Sequence, residues 1–171
     1  MKEFIQKHKL FSFYTALMLV IVFIAIFAPW LAPGDAFTSD MSKALQAPSA
    51  QHWFGTDKLG RDVLSRIIYG TQLSLFMGVS IVVIMVSIGT VIGAVAGYFG
   101  GKVEMVLMRL ADIMLSFPGV VLAIAIAGIL GGSIVNTILA LSVVGWAKYA
   151  RLVRSMTLKV RGEEYVTAAV M

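Results

Sequence analysis

The sequence predicts an all-α membrane protein, a polytopic bundle of transmembrane helices. Of its 171 residues, 59% are hydrophobic and 13% are charged, whereas soluble domains are about 45–50% apolar and about 25% charged. Three long stretches contain no Asp, Glu, Lys or Arg: residues 10–34, 67–101 and 113–147. A helix of about 20 apolar residues crosses the hydrocarbon core of a bilayer. The absence of cysteine excludes disulfides, thiolate metal sites and cysteine nucleophiles.

The first stretch predicts a cytoplasmic tail at residues 1–9 and a first transmembrane helix at 10–31. Its apolar core is longer than the 7–15 residues of a signal peptide, and no small-x-small cleavage pattern follows it. Trp30 lies near its expected end, where indole rings favour the membrane interface. We therefore interpret it as a retained span.

The second stretch predicts a transmembrane helix at residues 73–98. Gly89, Gly93 and Gly97 recur at four-residue spacing and share one face of that helix. Small residues on one face allow another helix to approach closely in lipid. This pattern favours a helix-packing face over a surface that lines a substrate path.

The third stretch is too long for one crossing, and Gly131-Gly132-Ser133 interrupts it. We therefore expect one helix at residues 103–130, with Pro118 in its middle, and another at 134–150. Arg109 and Asp112 are three residues apart near the start of the third span, so we expect them to pair.

Four crossings place both termini on the same side of the membrane. That side holds ten of the fourteen basic residues, whereas the other side holds four, balanced by four aspartates. The positive-inside rule therefore predicts a cytoplasmic N-terminus. The net charge of +5 reflects this topology and argues against a nucleic-acid partner.

Residues 32–72 are predicted to form an extracytoplasmic loop that contains the run FGTDKLGRDVLSR. Gly55 and Gly60 are typical of turns, and Asp62 and Arg66 have the i, i+4 spacing of an ion pair on a helix.

Asp57 and Asp62 in this loop invite comparison with paired catalytic carboxylates. No nucleophile, base and orienting group accompany them, so helix capping and ion pairing are the favoured interpretation. His52 stands alone, and a metal site needs several ligands.

The segment 151–171 is predicted to be cytoplasmic. Apolar residues at helical spacing indicate that the fourth helix continues out of the membrane until Gly162. Glu163 and Glu164 then favour the start of a short helix. Such a helix suits docking to a soluble partner, while the basic residues before it equally suit anionic lipid. The physical argument leaves both open.

The run from Phe54 to Arg66 resembles the signature loop of the inner-membrane permeases of bacterial ATP-binding-cassette importers for dipeptides, oligopeptides and nickel. Three further stretches resemble the same family: MRLAD at 108–112 with SFP at 116–118, WAKYARLVRS at 146–155, and EYVTAA at 164–169. The resemblance implies the type I importer permease fold, which has six spans. About four are present here, so we expect the chain to be an N-terminal fragment.

The resemblance also implies roles for individual residues. The segment that starts at Glu164 corresponds to the beginning of the family's coupling helix, which sits in a cleft of the ATPase. Thr167 stands where the family consensus has Glu. The expected coupling residues are Glu164, Tyr165, Thr167, Ala168 and Ala169. The residues expected to shape the outer face near the binding protein are Phe54, Gly55, Thr56, Asp57, Gly60, Arg61, Asp62 and Arg66.

The implied function is that of a permease subunit in the bacterial cytoplasmic membrane that moves peptides or nickel. Its implied partners are a homologous second permease, two ATPase subunits, an extracytoplasmic solute-binding protein and membrane lipid. ATP and Mg would bind the ATPases, and the chain contains no Gly-rich phosphate loop of its own. We expect no cofactor, metal or catalytic residue on this chain.

Two other function classes remain as alternatives. They are a secondary transporter, which would use ionisable groups near mid-membrane, and a non-transporting scaffold or sensor. Residues 50–53 and 146–151 resemble the nickel branch slightly more than the peptide branches.

Overall fold

A computed structural model describes residues 9–164 and 166. The helices are α1 (Lys9–Ile26), α2 (Ala28–Leu31), α3 (Val63–Phe99), α4 (Gly101–Ser116), α5 (Gly119–Leu130) and α6 (Ile134–Arg161). A 3-10 turn occupies Met41–Lys43, and one isolated antiparallel bridge joins Thr56 to Asp62. No β-strand occurs within these described residues, which confirms the predicted all-α class.

The chain divides into two compact units. The first ends at Phe76 and contains α1, α2, a loop and the beginning of α3. The second starts at Met77 and contains the rest of α3 with α4, α5 and α6.

Two helices, α1 and α3, are long and apolar enough to cross a membrane, and α4 with α5 makes a third candidate if the pair forms one span. Ala25 is the buried residue of α1, and large apolar side chains are exposed along the rest of that helix. A helix that is apolar all round suits a lipid environment. The expected fourth span at 134–150 lies within α6, which is not among these candidates in the described part of the chain.

The prediction of a single helix at residues 103–130 was wrong. It is broken after Ser116, and α4 and α5 meet at a bend of 91°. Proline disfavours the helical conformation in the residue before it, and Phe117 has extended backbone angles (φ −89°, ψ 145°). Pro118 therefore ends the helix instead of lying inside it.

Two helices extend further than the expected spans. α3 begins at Val63, ten residues before the expected start, and runs for 37 residues. α6 continues beyond residue 150 to Arg161, which confirms the predicted continuation of the fourth helix. Gly162 caps its C-terminus, and its N–H donates to the carbonyl oxygens of Leu158 and Lys159.

Candidate functional site

The motif loop, residues 32–62, folds back on itself through two glycine turns. Gly55 and Gly60 have φ angles of +71° and +74°, which side-chain-bearing residues adopt at a cost. A Cβ atom at Gly60 would overlap the backbone carbonyl of Asp40, and one at Gly55 would overlap that of Gln46. Both positions therefore require glycine for space as well as for conformation.

Backbone hydrogen bonds hold the two sides of the motif loop together. Asp40 N–H donates to Leu59 O at 2.9 Å, and Thr56 N–H donates to Gln46 O at 3.1 Å. The buried hydroxyl of Thr56 donates to Lys43 O and accepts from Gln46 N–H at 2.8 Å.

Asp57 forms ion pairs with two arginines. Its carboxylate accepts from Leu59 N–H at 2.8 Å, from Arg61 Nε at 2.9 Å and from Arg66 Nη1 at 2.7 Å. The hydrogen bond from the Arg61 side chain is the main reason that the pKa of Asp57 lies well below its usual range. The expected pairing of Arg66 with Asp62 was wrong, because Arg66 reaches Asp57 while the Asp62 carboxylate turns into the loop.

Asp62 forms a buried polar core with His52 and Ser65. The residue is 2% exposed; Oδ2 accepts from Ser65 N–H at 2.8 Å, and Oδ1 lies 3.0 Å from His52 Nδ1. The Ser65 hydroxyl in turn accepts from Gly34 N–H at 2.9 Å. Burial opposes ionisation of Asp62, but the hydrogen bonds from Ser65 and His52 outweigh it, so its pKa is lowered.

This polar core explains the end of the motif. Asp62 precedes the first residue of α3 and accepts from the N–H three residues ahead, as an N-cap does. The capping and ion-pairing interpretation of the two aspartates is therefore confirmed. His52 contacts Asp62, and no group of three or more His, Cys, Asp or Glu side chains that would hold a metal ion occurs within residues 9–164 and 166.

In the second unit, α6 packs on the glycine face of α3. A Cβ atom at Gly89 would lie 2.5 Å from the Cβ of Tyr149, one at Gly97 would lie 2.7 Å from the Cβ of Thr157, and one at Gly93 would overlap the carbonyl of Ala150. Ala150 is fully buried in this contact, and Ala147, one turn earlier on α6, is also fully buried. The backbones approach closely because α3 presents glycines at this face.

Two ion pairs join α4 to α6. Arg151 pairs with Asp112, and Arg154 pairs with Glu104, its Nε donating to Oε1 at 2.6 Å. The expected pairing of Asp112 with Arg109 was wrong, since α6 brings Arg151 to the same carboxylate. The four side chains line an open cleft of about 420 Å³ together with Gly101, Met105 and Met108.

Sequence reasoning missed this charged cleft. The partners lie 39 and 50 residues apart in the chain. The available signal was the pair of acidic residues on α4, Glu104 and Asp112, at i and i+8 near one face.

The structure describes little of the expected coupling segment. Glu164 is exposed just after the α6 cap, and Val166 N–H donates to Glu163 O at 3.1 Å, which is consistent with a helical turn. Tyr165, Thr167, Ala168 and Ala169 lie outside the described residues. The short helix expected at 163–169 therefore stays a prediction.

An all-helical chain with exposed apolar helices of membrane-spanning length is an integral membrane protein. Residues 89–171 match the family described as the binding-protein-dependent transport system inner membrane component. Residues 5–48 match the N-terminal transmembrane domain of oligopeptide transport permease C. The chain belongs to this family of inner-membrane transport permeases.

Curated relatives match nearly the whole chain. The dipeptide transport system permease protein of Alkalihalophilus pseudofirmus is 43% identical over 165 residues, which cover 96% of this chain and 54% of the relative. The probable D,D-dipeptide transport system permease protein of Escherichia coli K12 is 42% identical over 153 residues, 90% of this chain and 51% of the relative. The nickel transport system permease protein of the same strain is 39% identical over 150 residues, 88% and 54% respectively. The chain thus spans about half the length of the curated relatives it matches.

Proposed function

We propose that this chain belongs to a permease subunit of an ATP-binding-cassette importer that moves di- or oligopeptides or nickel across the bacterial cytoplasmic membrane. The observation that carries the proposal is the match of 88–96% of the chain to permease proteins of dipeptide and nickel transport systems. The identities of 43% and 39% are too similar to choose between the two substrates.

The proposed partners follow from this family. A homologous second permease completes the translocation path, two ATPase subunits bind ATP and Mg, and an extracytoplasmic binding protein delivers the solute. The permease is not itself an enzyme and carries no cofactor. Its N-terminus faces the cytoplasm, as the distribution of Lys and Arg favours.

The motif loop is suited to the extracytoplasmic face. Its hydrogen bonds and ion pairs form a compact unit, while Trp53 and Phe54 remain 65% and 57% exposed. Aromatic side chains supply large contact areas at protein interfaces. We assign these two side chains to the contact with the binding protein.

α6 is suited to coupling. It is an uninterrupted helix of 28 residues, and after its Gly162 cap the chain continues through Glu163 to Glu164. If the ATPases move the segment 164–169, they would therefore move the whole of α6, which packs against α3. Ala168 and Ala169 offer a small surface that a cleft in an ATPase can approach closely.

The proposal is tested by expressing the permease from its complete gene and reconstituting it in proteoliposomes with its second permease, ATPases and binding protein. We expect uptake of either a labelled peptide or chelated nickel that requires both ATP and the binding protein. Uptake driven by an ion gradient instead would identify a secondary transporter. Absence of uptake for every solute would contradict the proposal.

A double variant tests the assignment of the coupling residues. Ala168→Trp with Ala169→Trp should abolish ATPase association, because bulky side chains prevent close approach. Ala125→Trp, on α5, is the matched control. Normal uptake and normal association in the double variant would remove these residues from the coupling contact.

A further inference from the structure

Backbone breaks flank α4 at both ends. Gly100 separates it from α3, and Gly100 and Gly101, the first residue of α4, have φ angles of +66° and +54°. Phe117 and Pro118 separate it from α5 at the 91° bend. Helical hydrogen bonding is interrupted at each break, so helix continuity does not fix α4 to either neighbour. Its side-chain contacts must therefore determine which helix it follows.

Those contacts include the two ion pairs with α6. Glu104 pairs with Arg154, and Asp112 pairs with Arg151, so residue numbers rise along α4 as they fall along α6. The two helices are consequently antiparallel where they meet. Between the two pairs, Met105 and Met108 line the cleft.

The same turns of α6 are fixed on another side by α3. A Cβ atom at Gly93 would lie 3.0 Å from the backbone nitrogen of Arg154, and one at Gly97 would lie 3.0 Å from its carbonyl oxygen. The backbone of Arg154 thus rests on α3 while its guanidinium reaches Glu104 on α4. Gly162 and the proposed coupling segment follow about two turns later.

The two kinds of contact differ in how easily they yield. Packing against glycine has no free space, whereas the ion-paired side chains are long and partly exposed, Arg151 by 50% and Asp112 by 45%. Solvent weakens such pairs, so they can break and re-form. The ion pairs hold α4 next to α6 by electrostatic attraction, without steric interlocking.

We propose that Glu104, Asp112, Arg151 and Arg154 are positioning residues that make α4 follow the coupling end of α6 during transport. This inference rests on the proposed function. When the ATPases move the coupling segment, α6 moves with it, and the ion pairs transmit that movement to α4.

The test uses charge reversal in the complete transporter in proteoliposomes. Glu104→Arg and Arg154→Glu each place like charges together, and each should lower the solute taken up per ATP hydrolysed by about tenfold, with subunit assembly unchanged. The double variant restores an opposite pair and should recover uptake to within about threefold of the wild type. Asp112→Arg with Arg151→Asp is the parallel exchange.

Arg109→Glu is the matched control. Arg109 lies on α4 three residues before Asp112, is exposed, and forms no ion pair with the residues that the structure describes. Its reversal should leave uptake per ATP within about twofold of the wild type, because a surface charge without a partner contributes little.

The possible outcomes distinguish the positioning role from the importer function on which it rests. If the wild type transports but the double reversal is as defective as the two single changes combined, the positioning role is overturned and the importer function stands. If the wild type takes up no solute, the proposed function fails first. Where reversal prevents assembly, Glu104→Gln replaces it, and normal uptake per ATP in that variant also overturns the role.

Discussion

The motif loop and the contact between α3 and α6 are stabilised in opposite ways. In the loop, each turn or contact depends on a particular polar atom: a carboxylate that caps α3, a hydroxyl that accepts from Gly34, a guanidinium that reaches Asp57. Between α3 and α6 the requirement is small size on α3, where glycines face the Cβ or backbone atoms of Tyr149, Ala150 and Thr157. A hydrogen-bonded loop therefore specifies a long run of residue types, whereas close helix packing specifies a spacing.

The largest effect is expected from filling the helix contact. Gly93→Leu places a side chain where the Ala150 carbonyl and the Val153 side chain already lie, and we expect it to lower the free energy of unfolding by about 3 kcal/mol. Gly78→Leu is the control on the same helix, because a Cβ atom there meets nothing within 4 Å. Thermal unfolding of the purified permease measures both. Equal melting temperatures would mean that α6 does not occupy the glycine face.

A somewhat smaller effect is expected in the loop. Gly60→Ala adds a Cβ atom against the Asp40 carbonyl at a φ angle of +74°, which should cost about 2 kcal/mol or more. Gly101→Ala separates the two causes, since its φ of +54° is strained but no atom lies within 4 Å of the added Cβ. We expect about 1 kcal/mol there. Hydrogen exchange of residues 40–62 measures the effect of Gly60→Ala. If Gly60→Ala and Gly101→Ala lower the free energy of unfolding by similar amounts, the overlap with the Asp40 carbonyl is not the cause.

The smallest effect is expected from lowering the pH. Hydrogen bonds from the Thr38 side chain and the Phe37 backbone lower the pKa of Asp35 to about 2, and that of Asp57 is lowered by Arg61. A lowered pKa in the folded state adds stability above the ordinary value of 3.8, which is lost as the pH falls toward the folded value. Protection of loop amides should therefore decrease between about pH 4 and pH 2, after correction for intrinsic exchange rates.

The helix contact provides the comparison for that titration. Gly89, Gly93 and Gly97 on α3 face backbone and uncharged side-chain atoms of α6, including those of Tyr149, Ala150 and Thr157. Protection of α3 amides near Gly93 should stay constant over the same pH range. If amide protection falls equally in the motif loop and in α3 near Gly93, the loop carboxylates do not stabilise the loop separately.

Apolar length and small-residue spacing allowed most of the fold to be predicted. The helices, the turns at Gly55 and Gly60, and the end of α6 at Gly162 all follow from local chemistry that neighbouring residues express directly. The break at Pro118 carried a local signal too, but the apolar run around it suggested a continuous span. The conformation of Phe117 determines the outcome.

The partners of Asp62 and Asp112 could not be predicted from spacing. Asp62 and Arg66 have the spacing of a helical pair, yet Asp62 lies at the cap, where its carboxylate turns toward Ser65 and His52. Asp112 likewise prefers Arg151 over its helical neighbour Arg109. In both cases the partner is chosen by an interaction that exists only once distant segments have come together.

The polar core of the motif loop has a consequence for the order of synthesis. Gly34 lies near the start of the loop, but its N–H donates to Ser65, which belongs to α3. A chain emerges from the ribosome N-terminus first, so the loop remains without its core until the first turn of α3 has been made. We therefore expect residues 34–62 to be protease-sensitive in released chains that stop before Ser65, and to be protected in chains that continue through the first turns of α3.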